Sequence, residues 1–240
     1  MLSDKAKGYL IGALAAASYG TNPLFAIPLY EEGMNPDSVL FFRYLLAIPV
    51  MGIMLLVRRG REEFAVGRTQ LFQLAVMGIL MAFSSLSLFL SYTYMDAGIA
   101  STLLFVYPIM VALIMMIGFH EKLSAVTALC ILLALSGIAL LYKNSDGTTL
   151  SLFGTIMVMV SSLTYAIYIV GVNQTKLRDM PTLKVIFYVL LFGLSVFAVK
   201  IMISDDFVFP LSYRSWLCLL GIAILPTAVS FICTTSAIQL

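Results

Sequence analysis

Long apolar runs, separated by short charged or turn-forming connections, dominate the chain. A helix needs about 20 apolar residues to cross the hydrocarbon core of a bilayer. Eight runs of about that length cover residues 8–28, 37–57, 71–94, 98–118, 124–142, 152–171, 182–203 and 215–238. Apolar and polar residues do not alternate in these runs as they do in the strands of a membrane barrel. The pattern therefore predicts an all-α polytopic membrane protein with eight transmembrane helices.

Composition supports a lipid-facing surface. The chain of 240 residues is 61% hydrophobic and 11% charged, whereas soluble domains average about 25% charged residues. A net charge of +2 gives no basis for nucleic-acid binding. The expected partners are the lipid bilayer and a small-molecule substrate, and the sequence leaves open whether two copies form a homodimer.

Positive charge predicts the orientation, since cytoplasmic loops carry the excess of Lys and Arg. Ten of the 14 cations fall on one side of the predicted spans: Lys5, Lys7, Arg58, Arg59, Arg61, Arg68, Lys122, Lys176, Arg178 and Lys184. We therefore expect a multi-pass protein of the cell membrane, of bacterial inner-membrane type, with a cytoplasmic amino terminus.

The sequence offers no candidate catalytic or metal-binding residues. Cys130, Cys218 and Cys233 lie in apolar runs without a CxxC pair or a histidine neighbour, and buried thiols behave as small hydrophobes. No carboxylate lies in the interior of the predicted spans. The sequence therefore predicts no metal, no cofactor, no catalytic residue and no enzyme.

An internal repeat relates distant spans. A shift of 146 residues pairs Gly8 with Gly154 and Tyr19 with Tyr165, a shift of 145 pairs Phe42 with Phe187, and a shift of 143 pairs Gly78 with Gly221 and Ser87 with Ser230. Five spans separate the members of each pair, and five is odd, so the copies have opposite orientations. Inverted repeats of this kind are a transporter architecture.

The two copies differ in length. Residues 1–144 hold a first repeat of five helices, whereas residues 145–240 hold a second repeat with only three. We therefore expect a truncated second repeat, with eight helices present of a total of ten. The alternative, an eight-span protein, leaves the fourth span without a symmetry partner.

Two stretches resemble the drug/metabolite transporter superfamily, EamA-domain family. They are AAASYGTNPLFAIPLYEEGMNPDSVLFFRYLLAIP and YTYMDAGIASTLLFVYPIMVALIMMIGFHEKLSAVTALCILLALSGIALL, and the second contains a small-residue patch at 97–101, Pro108 and Glu121. The resemblance implies ten helices with both termini cytoplasmic and transport of small organic solutes by alternating access. Many bacterial members export amino acids or other metabolites. The missing ninth and tenth helices are a departure from that pattern.

Hydroxyl side chains form two matching stripes. Ser84, Ser87 and Ser91 lie on one face of the third helix at spacings i, i+3 and i+7, and Thr227, Ser230 and Thr234 repeat that spacing on the eighth. One interpretation is that the stripes are two walls of a substrate pathway. The alternative is helix packing, since small residues let membrane helices approach closely.

Aromatic and amide side chains add further pathway candidates. Tyr19 with Asn22, and Tyr165 with Tyr168, are i, i+3 pairs at matching points of the first and sixth helices. An interfacial tyrosine belt is the alternative interpretation. In the fourth helix, we expect Pro108 to introduce a kink beside Phe105 and Tyr107. Glu121 is expected to anchor the cytoplasmic end of this helix.

Arg43 is a permanent cation inside the second apolar run. It lies six residues beyond Asp37, about 9 Å below the outer end of its helix, so its side chain could snorkel back to the interface. The repeat pairs it with Tyr188, which shows that the second copy does without a cation there. We therefore place Arg43 in the outer part of a substrate pathway.

Transport is the predicted function. The chain is expected to be an integral membrane transporter of small organic metabolites, of the amino-acid or drug/metabolite exporter type. Its aromatic and neutral polar candidates favour a neutral or zwitterionic solute, with an anionic one as the alternative. A non-transporting structural or sensory membrane protein is the alternative function.

Overall fold

The computed structural model of the chain describes residues 4–59, 64–120, 129, 132–133, 136–137 and 151–233. These residues form helices and their connections and contain no β-strand. The helices are α1 Asp4–Gly20, α2 Asn22–Glu31, α3 Pro36–Arg59, α4 Arg68–Ser91, α5 Ala97–Leu104, α6 Tyr107–Phe119, α7 Leu152–Gln174, α8 Thr182–Ser204 and α9 Tyr213–Ala223. A π-helical segment, Ile224–Val229, directly continues α9.

Seven helical stretches in this described part of the chain are long and apolar enough to cross a membrane. They agree with seven of the predicted spans: α1 with α2, α3, α4, α5 with α6, α7, α8, and α9 with the π-helical segment. The predicted fifth span, residues 124–142, lies mostly outside the described residues. The total of eight helices and the inverted repeat therefore stay predictions.

Three of the seven spans are irregular where the sequence pattern predicts continuous helices. The first span is interrupted at Thr21, between α1 and α2, and the fourth at Phe105 and Val106, between α5 and α6. The eighth changes from α- to π-helical at Ile224. A proline lies two residues beyond Thr21, Val106 and Ile224, and proline removes a helical donor.

The chain forms two compact units. The first is built from Met1–Ile79 and Asp179–Leu240, the second from Leu80–Arg178, and α4 contributes to both. The predicted repeat boundary at residues 144–145 lies outside the described residues and stays a prediction.

Within the first unit, α8 packs against α3, α9 packs against α2 and α3, and the π-helical segment packs against α1 and α3. Within the second unit, α7 packs against α5 and α6.

Close backbone approach in the first unit depends on two glycines. A Cβ on Gly78 of α4 would lie 2.6 Å from Phe192 Cβ, and one on Gly193 of α8 would lie 2.5 Å from Tyr44 Cε1. Tyr44 is fully buried and packs edge-on against Phe197, with ring centroids 5.1 Å apart. The smallest side chain is therefore required at both crossings.

Candidate functional site

Three prolines each leave a backbone carbonyl without its helical donor. A carbonyl at position i normally accepts from the amide at i+4, and proline has no amide hydrogen. Pro23, Pro226 and Pro108 therefore free the carbonyls of Tyr19, Ile222 and Leu104 respectively. An unsatisfied carbonyl is costly in a membrane, so each of these carbonyls is expected to accept from another donor.

At the first break, Asn22 supplies the donor. Its Nδ2 donates to the Tyr19 carbonyl at 2.9 Å. Asn22 is only 1% exposed, and its Oδ1 has no hydrogen-bond partner among the described residues. A buried amide oxygen is thus held beside the interruption of the first span.

In the eighth span, Thr227 supplies the donor. Its hydroxyl donates to the Ile222 carbonyl at 2.8 Å and accepts from Arg43 Nε at 2.7 Å. Thr227 is fully buried inside the π-helical segment. Single π-helical turns occur frequently at functional sites.

Arg43 links the first and eighth spans from its position on α3. In addition to its bond with Thr227, its side chain hydrogen-bonds the side chain of Tyr19. Ser230, one turn beyond Thr227, donates to the Ala15 carbonyl at 3.0 Å. We call Tyr19, Asn22, Arg43, Thr227 and Ser230 the Arg43 cluster. The sequence analysis selected all five, and the structure brings them together in the first unit.

The guanidinium of Arg43 does not snorkel to an interface. The residue is 1% exposed, and its side chain contacts Thr227 and Tyr19 on neighbouring spans. An arginine inside a membrane protein is costly and is typical of functional positions. The burial of Arg43 disfavours the snorkelling alternative, and its pathway role stays a prediction.

Replacing Thr227 with valine is expected to lower the thermal stability of the purified protein. Valine keeps the shape of threonine but leaves the Ile222 carbonyl and Arg43 Nε without the Thr227 oxygen. Loss of one partner of a buried hydrogen bond costs about 1–3 kcal/mol. Thr102→Val is the matched control, because Thr102 is exposed and bonds a carbonyl of its own helix. Equal melting temperatures for the two variants in detergent would contradict this prediction.

In the second unit, α4 and α7 are joined by a reciprocal serine pair. Ser84 Oγ donates to the Ser161 carbonyl at 2.9 Å, and Ser161 Oγ donates to the Ser84 carbonyl at 2.7 Å. Both serines are buried. The packing alternative thus accounts for the contacts of Ser84, and the pathway role of its stripe stays a prediction.

The proline of the fourth span has a side-chain donor as well. Ser162 Oγ donates to the Leu104 carbonyl at 3.1 Å. Pro108 itself is exposed and lies in the first turn of α6. The predicted irregularity beside Phe105 and Tyr107 is therefore present, and a hinge role for Pro108 stays a prediction.

The aromatic candidates of the second unit form one group. The ring centroids of Tyr107 and Tyr165 lie 4.8 Å apart, those of Tyr165 and Tyr168 5.9 Å apart, and those of Phe105 and Tyr107 6.4 Å apart. Tyr168 is buried, whereas Phe105 is exposed. All four were predicted as pathway residues, and the structure places them in contact.

Four candidates from the sequence remain: Ser87, Ser91, Thr234 and Glu121. Ser87 is buried, and Ser91 is buried with its hydroxyl donating to the Leu88 carbonyl in the same helix at 2.6 Å. Thr234 and Glu121 lie outside the described residues. Among the residues that are described, no group of three His, Cys, Asp or Glu side chains could hold a metal ion.

Sequence reasoning missed several polar residues with long-range contacts, among them Ser161, Ser162, Lys184 and Tyr188. The serines appear in the sequence as an adjacent pair inside an apolar run, next to the Tyr165 candidate. Lys184 was counted only as an orienting charge. A carbonyl that loses its donor to a proline needs another one. Pro108 therefore indicates that the Leu104 carbonyl accepts from a side chain, and this signal could have identified Ser162.

Comparisons with known proteins give consistent matches. The sequence profile described as the EamA-like transporter family matches residues 6–143. "Uncharacterized transporter YcbK" of Bacillus subtilis (strain 168) is 25% identical over 177 residues, which are 70% of this chain. The chain spans 55% of the length of that relative.

A solved structure entitled "Crystal structure of protein" shares the fold. It aligns with a TM-score of 0.72 at 19% sequence identity, over 96% of this chain and 78% of that one. At this identity the alignment supports the fold alone.

Proposed function

Because the chain belongs to the EamA-like transporter family, we propose that it moves small organic metabolites across a membrane by alternating access. The membrane-spanning part of the proposal is secure, since the family and seven apolar helices in the described residues make it a multi-pass membrane protein. The Arg43 cluster is the observation that carries the rest. A buried cation, an amide and three hydroxyl groups meet there at two interrupted spans.

Interrupted helices support a transport site at this cluster. Transporters typically bind their solutes near the bilayer midplane, where discontinuous helices expose backbone polar groups. The first and eighth spans are both interrupted at a proline here, and their freed carbonyls are held by Asn22 and Thr227. Two such breaks at one buried cation therefore favour transport over a structural or sensory role.

Matching contacts support the proposed inverted repeat. The carbonyls of Ala15 and Ser161 are related by the shift of 146 residues. Ala15 O accepts from Ser230 of the eighth span, and Ser161 O accepts from Ser84 of the third span. The third and eighth spans are themselves repeat partners, so equivalent carbonyls accept from hydroxyls of equivalent spans, although the shift of 143 pairs Ser230 with Ser87, one turn beyond Ser84.

The chemistry of the cluster suggests the kind of solute. Arg43 is suited to a carboxylate, because guanidinium and carboxylate groups pair with good geometry. The Asn22 Oδ1 is suited to a hydrogen-bond donor such as an ammonium or hydroxyl group. We therefore propose a zwitterionic or hydroxylated organic acid, of the size of an amino acid, as the transported class.

The proposed orientation and location rest on the distribution of charge. The excess of Lys and Arg on one side of the spans supports a cytoplasmic amino terminus and insertion into the cell membrane. Export of the solute is the proposed direction.

Purified protein in proteoliposomes is expected to exchange a radiolabelled solute across the membrane. The test panel contains amino acids, hydroxy acids, sugars and cationic drugs, and counterflow into solute-loaded vesicles is measured against protein-free liposomes. Counterflow of an amino or hydroxy acid that unlabelled solute abolishes would support the proposal. No counterflow for any member of the panel would favour the structural or sensory alternative.

A further inference from the structure

Helices α3 and α8 pack against each other in the first unit, and their contacts show that they are antiparallel. The amino-terminal end of α8, at Lys184, contacts the connection that follows α3, at Ala65. The amino-terminal end of α3, at Ser38, contacts the connection that follows α8, at Val208. Each helix therefore holds the segment that leaves the other.

The first of these contacts is made by Lys184 and Tyr188. Lys184 Nζ donates to the Ala65 carbonyl at 2.7 Å, and Tyr188 OH donates to the Phe64 carbonyl at 2.6 Å. Lys184 is only 9% exposed. We call this pair of bonds the Lys184 latch.

The second contact is made by Asn35 and Ser38. Ser38 Oγ accepts from Val208 N at 2.9 Å, and Asn35 Nδ2 donates to the Asp206 carbonyl. Ser38 is fully buried. We call this pair of bonds the Ser38 latch.

Further contacts surround the Ser38 latch. Lys200 Nζ and Asp37 Oδ1 form an ion pair at 2.7 Å. The ring of Phe207 lies against Phe42, with centroids 5.7 Å apart, and Phe42 also contacts Trp216 at 5.7 Å. An aromatic cap thus closes over the amino-terminal end of α3.

The two latches lie on opposite faces of the membrane. Helices of 24 and 23 residues are about 35 Å long at 1.5 Å per residue, somewhat more than the roughly 30 Å hydrocarbon core. Arg43 follows Ser38 by five residues, about 7.5 Å along α3. The Arg43 cluster therefore lies inside the span, between the two ends that the latches hold.

We propose that the Lys184 latch and the Ser38 latch are the gates of the transport pathway, one at each face. Releasing the Lys184 latch opens the Arg43 cluster to the face at Ala65, and releasing the Ser38 latch opens it to the opposite face. This inference rests on the proposed function. It assigns gating to residues that the solute itself need not touch.

The chemistry of the Lys184 latch explains how it acts as a gate. A buried ammonium needs an acceptor, and here a carbonyl of the connection supplies it. When the connection moves away, water must replace that carbonyl, so opening of this face and hydration of Lys184 occur together. A charge-assisted hydrogen bond of this kind changes a two-state equilibrium about tenfold or more.

The test is sided labelling of a reporter cysteine at Ser18, a buried residue next to Tyr19. Cys130, Cys218 and Cys233 are first replaced by serine or alanine. A membrane-impermeant maleimide is then added to vesicles of each orientation, and a cysteine at the exposed Thr69 identifies the face of Ala65. Lys184→Met with Tyr188→Phe is compared with Asn35→Ala with Ser38→Ala.

We expect opposite shifts of several-fold. The Lys184 variant should label Ser18→Cys faster from the Ala65 face only, and the Ser38 variant faster from the other face only. Equal acceleration from both faces would mean general loosening and would overturn the gating proposal, as would no change in either variant. Tyr188→Phe alone, a milder change, gives the same test if the double variant does not fold.

Fluorescence provides an independent readout. Trp216 is the single tryptophan of the chain and belongs to the aromatic cap beside the Ser38 latch. Its emission should shift to the red in the Ser38 variant and stay unchanged in the Lys184 variant, and the reverse pattern would overturn the assignment. The labelling and emission measurements need no transported solute. If the labelling shifts are opposite but no solute shows counterflow, the transport proposal is overturned and the two-sided opening remains.

Discussion

Replacing Arg43 with leucine is expected to lower solute counterflow at least about tenfold while the protein stays folded. Arg43 bonds Thr227 and Tyr19 inside the membrane-spanning part, and hydrogen bonds to charged groups contribute about 1.5–3 kcal/mol. About 1.4 kcal/mol corresponds to a tenfold change. Leucine removes the buried charge itself instead of leaving it unpaired, and the Thr227 hydroxyl still donates to the Ile222 carbonyl, so the variant is expected to fold. Counterflow and size-exclusion profiles of the same preparation measure both quantities.

Arg43→Lys is the matched control for that variant. Lysine keeps the positive charge but lacks the planar guanidinium whose Nε reaches Thr227. Counterflow between those of the wild type and the leucine variant is expected, with the loss expressed mainly as a raised KM for the solute. Wild-type counterflow in Arg43→Leu would instead show that the arginine only joins helices.

The membrane helices could be predicted because length and apolarity alone decide whether a segment crosses a bilayer. The second span, for example, is predicted at 37–57 and observed within α3, Pro36–Arg59. The interruptions could not be placed in the same way. A proline removes one donor wherever it stands, yet the helix stops before Pro23 and widens into a π-turn at Pro226, a difference that the sequence does not display.

The Arg43 cluster could be predicted residue by residue but not as an assembly. Tyr19, Asn22, Arg43 and Thr227 each stand out as polar groups inside apolar runs. Arg43 and Thr227 are 184 positions apart in the chain, however, and no local pattern shows that they share a hydrogen bond. Contacts between spans are set by tertiary packing, which a single sequence does not display.

The Lys184 latch shows the opposite case, because the sequence pattern suggested another role for both of its residues. Lys184 was interpreted as one of ten cytoplasmic charges, yet its ammonium lies buried against the Ala65 carbonyl. Tyr188 was interpreted only as the repeat partner of Arg43. The acceptors of both are backbone carbonyls, which look alike at every position of a sequence, so no residue pattern could have identified them.

Replacing Gly78 with alanine is expected to destabilise the first unit by about 1–3 kcal/mol, the usual cost of overpacking a filled site. The new methyl group would lie 2.6 Å from Phe192 Cβ and 2.9 Å from the Val189 carbonyl oxygen. Neither atom is the free end of a flexible side chain, so α4 and α8 must move apart. The melting temperature in detergent should fall by several degrees, since about 2–4 °C per kcal/mol is typical for chains of this length.

Gly118→Ala is the matched control, because it makes the same chemical change at an open position. A Cβ on Gly118 meets no atom within 4 Å, and the residue is exposed near the end of α6. Alanine is favoured over glycine inside a helix by about 0.5–1 kcal/mol, so this variant should melt at or above the temperature of the wild type. The same substitution is therefore expected to lower the melting temperature at Gly78 and to keep or raise it at Gly118. A fall of equal size in both variants would show that loss of glycine flexibility, rather than the close approach of α4 and α8, sets the cost.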